Sequence, residues 1–537
     1  MSAIFGKILL MPHAASHRPN IDQVRSAVAS MGGASPVLEL LLAELEATRE
    51  ERDSLRKEKH SNTLEIERLS LLLEKFKRLL FGRKSEKLLR QIEQLELELE
   101  EAYINEGVRQ ALQQKRKRGA PPARPPREPL PKHLPRETHE HLPAQTQCPD
   151  CGGAWKRLGE DVSEMLELVR VRFHVVRHVR PRLTCSCCDR MAQAPAVSRP
   201  IARGYAGPAL LAHIMTAKYQ DHIPLYRQAQ QYAREDVPLS ESTMGDWVGS
   251  AHELVRPLID ALRRYVFGAE KLHTDDTPIA VLSPGNGKTR QARLWTYVRD
   301  DRAHGGAQAP AAWYCYSPDR KGIHPQTHLK DYSGILQADA YAGYNAVYAT
   351  GRVLEAGCWA HARRHFYDIH EKRPSAITTH ALDTIAALYR IEADIRGKPP
   401  DERRAVRQAR AAPLVTALHA WLKEQLATVS RKSVTADAIG YALNQWQALT
   451  RFLDDGRIEV DNNVAERALR AVGVGRKNYL FLGSDAGGER AATMYSLLGS
   501  AKLNGLNPEA YLAHVFARIA DHPVNRIDEL LPWNVRL

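Results

Sequence analysis

The sequence predicts a multidomain α+β protein, and three observations carry that expectation. An apolar heptad begins at Leu38, two Cys-x-x-Cys pairs stand at Cys148/Cys151 and Cys185/Cys188, and two short strand-like segments, Lys271 to Thr274 and Ile335 to Ala338, each run into an aspartate. A chain of 537 residues with 43% hydrophobic content can bury more than one core, so three or more units are expected. A net charge of +13 and a pI near 9.3 point to an anionic partner, nucleic acid first, and say nothing about fold. No run approaches the roughly 18 apolar residues of a membrane span, and the stretch from Ile8 to Met11 after Lys7 is too short for a signal-peptide core. No membrane partner and a cytoplasmic location are therefore expected.

Residues 1–37 mix Gly, Pro and Ser without sustained periodicity and are expected to form a poorly ordered leader. Residues 38–114 predict a coiled-coil or helical arm: of thirteen heptad positions from Leu38 to Leu80, nine are apolar, and Leu88, Ile92, Leu95, Leu99 and Ala102 resume the spacing. Arg52, Lys59 and Asn62 weaken the seam, so a helix folded back on its own domain competes with a dimerising arm that would make a homo-oligomer. Residues 115–145 predict an extended basic linker. Its segment 115–136 holds eight Lys or Arg, Lys115, Arg116, Lys117 and Arg118 among them, against one Glu, and seven prolines keep it out of a packed core. Such an arm can follow a phosphate backbone, or serve only as a stiff spacer.

Residues 146–192 predict a zinc ribbon. Four thiolates at Cys148, Cys151, Cys185 and Cys188 make the closed tetrahedral set of one structural Zn²⁺, with Cys187 to spare. Between the knuckles Val169, Val171, Phe173 and Val175 alternate with Arg170, Arg172 and His174, the pattern of one half-buried strand with a basic outer face. Residues 193–262 predict a helix-turn-helix-like domain whose second helix opens at Ser240 or Ser242 and offers Ser242 and Thr243 to DNA, unless the pair is a plain packing unit.

Residues 263–490 predict the catalytic core, with an all-helical insertion at about 370–456, and residues 491–537 a C-terminal helical domain. Pro284 to Thr289 ends like a phosphate-binding loop but lacks the required first glycine, since Leu282 stands there; it is expected to be a hairpin turn. Strands ending at Asp275 and Asp339, two alternating segments at 294–298 and 312–316, and a fifth candidate at 352–355 make the sheet. Glu466 lies in a segment of helical spacing that Asp461 can cap; Glu489 is its rival, and an ordinary ion pair with Arg470 its simplest alternative use. Two carboxylates at strand ends and one on a helix can converge on a divalent cation. Cys358, His361 and His365 lack a fourth ligand, which makes His361, Arg363 and Arg364 better candidates for phosphate contact, as are Arg476 and Lys477.

Taken together, FGRKSEKL, CPDCGG, CSCC, KYQDHIPLYRQ, STMGDW, LHTDDTP, QADAYAGY, GCWAHARRHF, DNNVAERALR, GRKNYLFLGSDAGGERAA and IDELLPWN resemble the transposases of the insertion sequence 66 family, from residue 38 to the C-terminus. The resemblance implies a DDE enzyme on an RNase H-like core, with Asp275, Asp339 and Glu466 as the triad holding two Mg²⁺ (or Mn²⁺) ions. It also selects Glu466 over Glu489. The implied function is to bind insertion-sequence ends, cleave them and transfer the strand into target DNA, in the bacterial cytoplasm at the nucleoid, with small element-encoded accessory proteins as further partners. Asp276 departs from the family, which usually has Glu beside the first catalytic Asp. A non-catalytic DNA-binding regulator and a nuclease that cleaves without joining are the competing functions.

Overall fold

The computed structural model describes residues 65–73, 95–96, 98–109, 129–169, 172–202, 204–283, 288–478 and 482–537. The chain divides into two compact units, residues 1–72 and 73–537. Of the first, only residues 65–72 are described; they are helical, with Arg68 and Glu65 paired one turn apart at 2.9 Å. The leader, most of the heptad and the basic residues Lys115, Arg116, Lys117 and Arg118 lie outside the described residues.

In the second unit a four-stranded sheet comes first: β1 (Arg136–Glu140), β2 (Trp155–Val169), β3 (Arg172–Cys185) and β4 (Met191–Gln193), with β3 pairing the other three. The stretch expected to be one strand is two. Val169 ends β2 opposite Arg172, which starts β3. The alternation persists because Phe173 and Val175 face a core, buried, while the chain reverses just before them.

Helices α1 (Pro208–Tyr219), α2 (Leu225–Ala233) and α3 (Glu241–Phe267) follow. Ser240 caps α3 by accepting the Thr243 N–H at 3.2 Å. α3 is 27 residues long, and Met244, Trp247, Val248 and Ala251 bury its first half. The helical residues 98–109 lie against this half so closely that a Cβ on Gly249 would stand 2.5 Å from the Val108 nitrogen. Glycine here is what permits the crossing.

The second sheet runs β7–β6–β5–β8–β9, where β5 is Lys271–Ser283, β6 Lys288–Arg299, β7 Ala311–Ser317, β8 Gly334–Gln337 and β9 Val353–Ala356. β6 is antiparallel to both β5 and β7, whereas β8 and β9 continue from β5 in parallel. Pairing of β5 with β6 extends to Ser283 opposite Lys288, so the segment that imitates a phosphate loop connects a hairpin. Short helices α4 (Ile323–His328) and α5 (Asn345–Tyr348) flank β8.

From α6 (Trp359–Lys372) the chain is helical: α7 (Ala376–Asp394), α8 (Pro400–Val406), α9 (Ala412–Thr428), α10 (Val434–Asn444) and α11 (Trp446–Thr450). Their stripes, Ile385 and Leu388 with Leu418 and Leu422, close a separate core that also takes in Ile335 and Ala356 of the sheet. α12 (Asn463–Asn478), α13 (Asp485–Leu503) and α14 (Pro508–Arg518) return to the main core, α13 packing on β7. Gly505 takes a left-handed φ of 72° after α13, and Asn507 caps α14 through the Ala510 N–H.

Candidate active site

β5 and β8 are neighbours in parallel, with Lys271 opposite Ile335 and His273 opposite Gln337. Asp275 lies two residues beyond His273 on β5 and so shares a face with Lys271 and His273, while Asp339 stands two residues past the end of β8 at Gln337. Lysine, histidine and glutamine are unusual inside a sheet, and all three are almost wholly buried here. All three bond to one segment that climbs the same face, residues 455–462, although His273 Nε2 stays without a hydrogen-bond partner. Lys271 Nζ donates to the Arg457 carbonyl at 2.8 Å. Gln337 donates to the Glu459 carbonyl at 2.6 Å and accepts the Glu459 N–H at 3.2 Å. His273 Nδ1 meets Asn462 Oδ1 at 3.1 Å, and Asn462 Nδ2 donates to the Thr274 carbonyl at 2.7 Å. One turn later the segment has become α12 and presents Glu466.

The insertion fixes the same segment from its other side. Glu459 accepts Arg403 Nη1 at 2.9 Å and lies 3.8 Å from Lys271 Nζ. Glu392 accepts Arg403 at 3.2 Å and Arg407 twice at 2.7 Å, while Arg407 also donates to the carbonyls of Phe452, Asp455 and Ile458. Arg403 and Arg407 are fully buried. Burial alone would push the Glu459 carboxyl up, but Lys271 and Arg403 hold it down at about 2.

Asp275 feels the charges of the acids around it. Burial, then the charges of Asp339, Asp276 and Glu466, push Asp275 up to about 7, against a hydrogen bond from the Asp276 N–H at 2.8 Å. Asp276 points elsewhere: Arg293 reaches it at 3.0 Å and Arg320 at 2.8 Å, and Arg320 also lies 3.5 Å from Asp339. Burial still raises Asp276, with the two arginines pulling against it. Glu466 has His361 Nε2 and Arg364 at 3.8 Å each, so its ion partners come from α6. Glu489 is exposed on α13, which packs on the opposite edge strand β7.

Among the described residues, two sets of metal-ligating atoms lie within 4.8 Å of one another, the four cysteines and Cys358–His361–Glu466. The three acids do not form so tight a set, Glu466 standing nearer α6. Beside it, a cleft of about 720 Å³ is lined by Arg363, Arg364, Tyr367, Arg390 and Asn463.

Cys148, Cys151, Cys185 and Cys188 approach to 3.3–3.4 Å, and Cys185 is lowered to about 6 by the backbone N–H groups of Cys187 and Cys188. The set fits a structural zinc ion. Cys187 is exposed and outside the set. Ser242 and Thr243 both hydrogen-bond Ser240 within the cap of α3. Arg170 lies outside the described residues; Arg172 begins β3, and Arg476 and Lys477 lie in α12, with side chains outside the description. Lys271, His273, Gln337, Asn462, Arg320 and the insertion's arginines were missed by sequence reasoning. The available signal was polar residues on the inward alternation of two short strands.

The chain matches the family model described as Transposase IS66 family over residues 203–490, with the IS66 C-terminal element at 496–533, the zinc-finger binding domain of transposase IS66 at 145–189, and Transposase C of IS166 homeodomain at 68–138. It is similar to three proteins of Sinorhizobium fredii (strain NBRC 101917 / NGR234). With uncharacterized protein y4hP it shares 43% identity over 87% of this chain and 88% of the relative. With y4jD the figures are 38%, 75% and 81%, and with y4qI 40%, 72% and 74%. No described helix is long and apolar enough to cross a membrane. With more than half of its length matched by one transposase model, the chain belongs to the IS66 transposase family, and its domains are those of a DNA-binding transposase.

Proposed function

We propose that this transposase binds the ends of an insertion sequence and catalyses strand cleavage and strand transfer on an RNase H-like core, with Asp275, Asp339 and Glu466 as its carboxylates. The observation that supports the reading is that Asp275 on β5 and Asp339, two residues past the end of the neighbouring parallel strand β8, lie close enough together, and to Glu466, for both charges to raise Asp275. The mixed sheet with its antiparallel hairpin and parallel continuation supports the core assignment.

An all-oxygen donor set suits Mg²⁺ or Mn²⁺. Asp275 fits that role because it is a half-buried carboxylate among negative neighbours, an arrangement that a cation relieves. Asp275, Asp339 and Glu466 would hold two such ions, which when bound activate the attacking oxygen and stabilise the leaving one. Arg320 ties Asp276 to Asp339 and so keeps the Asp339 carboxylate near β5. Arg364 and His361 offer phosphate donors beside Glu466, and the arginines of the neighbouring cleft extend that positive surface. Water attack on a phosphodiester at the element end breaks one P–O bond and frees a 3′-hydroxyl. That hydroxyl then attacks a target phosphodiester, forming one P–O bond as another breaks, without a covalent enzyme intermediate. The basic linker, ribbon and helices α1–α3 grip DNA, the heptad joins copies of the chain, and element-encoded accessory proteins complete the assembly.

The test incubates full-length protein, Mg²⁺, labelled end DNA and a plasmid target, with accessory proteins supplied, alongside Asp275→Ala. Joined product from wild type alone is expected. Cleavage without joining would assign a nuclease, and binding without Mg²⁺-dependent chemistry a regulator. Equal activity in the variant would overturn the carboxylate assignment.

A further inference from the structure

We infer that Cys358, His361 and Glu466 form a second divalent-cation site of zinc-type chemistry, separate from the ribbon. Cys358 stands at the N-cap of α6 and His361 three residues later, a spacing that places both on one helical face. Glu466, in the first turn of α12, faces them, with its Oε1 3.8 Å from His361 Nε2. One ligand atom from each residue lies within 4.8 Å of the other two.

Two further observations point to a ligand. Glu466 Oε1 and His361 Nδ1 are both buried without a hydrogen-bond partner, a costly state for polar atoms that a bound ion and its water would relieve. Cys358 is buried at 3% exposure, and its sulfur already accepts the Asn462 N–H at 3.2 Å, the kind of donor that supports a metal-bound thiolate. The donors are thiolate, imidazole and carboxylate, which select a borderline ion of the zinc class over Mg²⁺. Binding breaks the Cys358 S–H bond, forms a sulfur–metal bond and releases the proton to solvent, with no change of oxidation state. Three protein ligands leave a fourth position for water or a phosphate oxygen.

Because Glu466 is shared, an ion held here draws that carboxylate towards α6 and away from the β5–β8 aspartates. This consequence rests on the proposed triad; the binding itself does not.

Co²⁺ is the probe, since thiolate–Co²⁺ charge-transfer absorption reports sulfur ligation directly. Metal-free full-length protein is titrated with Co²⁺ beside Cys358→Ala, His361→Asn and the ribbon variant Cys151→Ser, with melting curves of the metal-free proteins as the folding control. Wild type is expected to bind one equivalent at the ribbon and a second at this site. The second should weaken at least about tenfold in Cys358→Ala and His361→Asn, and persist in Cys151→Ser. A wild type that saturates with the ribbon alone, or folded Cys358→Ala and His361→Asn that both bind as wild type does, would overturn the site. In the cleavage assay, zinc beyond the ribbon's equivalent should slow wild type at least tenfold more than Cys358→Ala, each relative to its own rate without added zinc. Equal slowing would overturn the shared-Glu466 consequence. Absence of Mg²⁺-dependent cleavage in both proteins would count against the proposed function and leave the Co²⁺ result standing.

Discussion

Replacing Glu459 by glutamine tests whether the helical insertion holds the segment that leads into Glu466. The carboxyl is held at about 2 instead of 4.5 by Lys271 and Arg403. At 1.36 kcal/mol per tenfold change in proton affinity, that corresponds to about 3 kcal/mol of folded-state stabilisation. The variant also leaves Lys271 and Arg403, both 1% exposed as side chains, with less countercharge, and breaking a buried pair from one side costs about 3–5 kcal/mol. The sign of the pH dependence follows from the depressed value: the stabilisation is complete above the unfolded pKa and disappears as pH falls through the folded one. The stability difference between wild type and Glu459→Gln should thus be largest near neutral pH and shrink by more than half by pH 3. Paired thermal melts across that range measure it. In the strand-cleavage assay the variant should lose rate while retaining end binding, because the bond it loses anchors the segment that leads directly into the helix carrying Glu466. A difference that is small and flat with pH would refute the argument that this ion network stabilises the fold.

Asn462→Ala removes the partners of both His273 and the Thr274 carbonyl in a fully buried setting, so a loss of about 2–4 kcal/mol is expected in denaturant titration, with cleavage reduced alongside. Cys151→Ser, or chelation of the wild type, should strip the structural zinc, measured by metal analysis, and expose β1–β4 to protease; an unchanged digestion pattern would deny the metal its structural role. Gly249→Ala places a methyl group against the backbone of residues 104 and 108, and overpacking of about 1–3 kcal/mol should appear as faster proteolysis within 98–109; wild-type kinetics there would contradict the crossing.

The sequence made the chemistry more legible than the geometry that positions it. Asp275 and Asp339 were readable because each follows a strand-like run, and four cysteines at knuckle spacing have few other uses. The doubled strand at 169–175 was not readable: a two-residue reversal between residues that both favour strands leaves the local alternation intact. α3 runs on to Phe267, past the expected end of its domain at 262, with Pro257 inside the helix. Nor could one sequence show Asp276 matched by Arg293 and Arg320, since those partners come from another strand and a loop. The resemblance that selected Glu466 carries information the residues around it lack, because its neighbours on α6 are about a hundred positions away in the chain.

The buried polar side chains also bear on how a helical block is accommodated just before Glu466. Five helices between α6 and α12 could let Glu466 wander, since loop-closure entropy alone places no residue. Here the returning segment is bonded at Arg457, Glu459 and Asn462 to the same strand face that carries the aspartates. On its other side it is bonded to two buried arginines of the insertion itself. The insertion therefore supplies part of what fixes Glu466, and shortening it while sparing the sheet would remove Arg403 and Arg407 together. Leaving Glu392, Glu459 and Lys271 to be rehydrated or misfolded, such a deletion should cost more than any single substitution in the network, in stability and in cleavage alike.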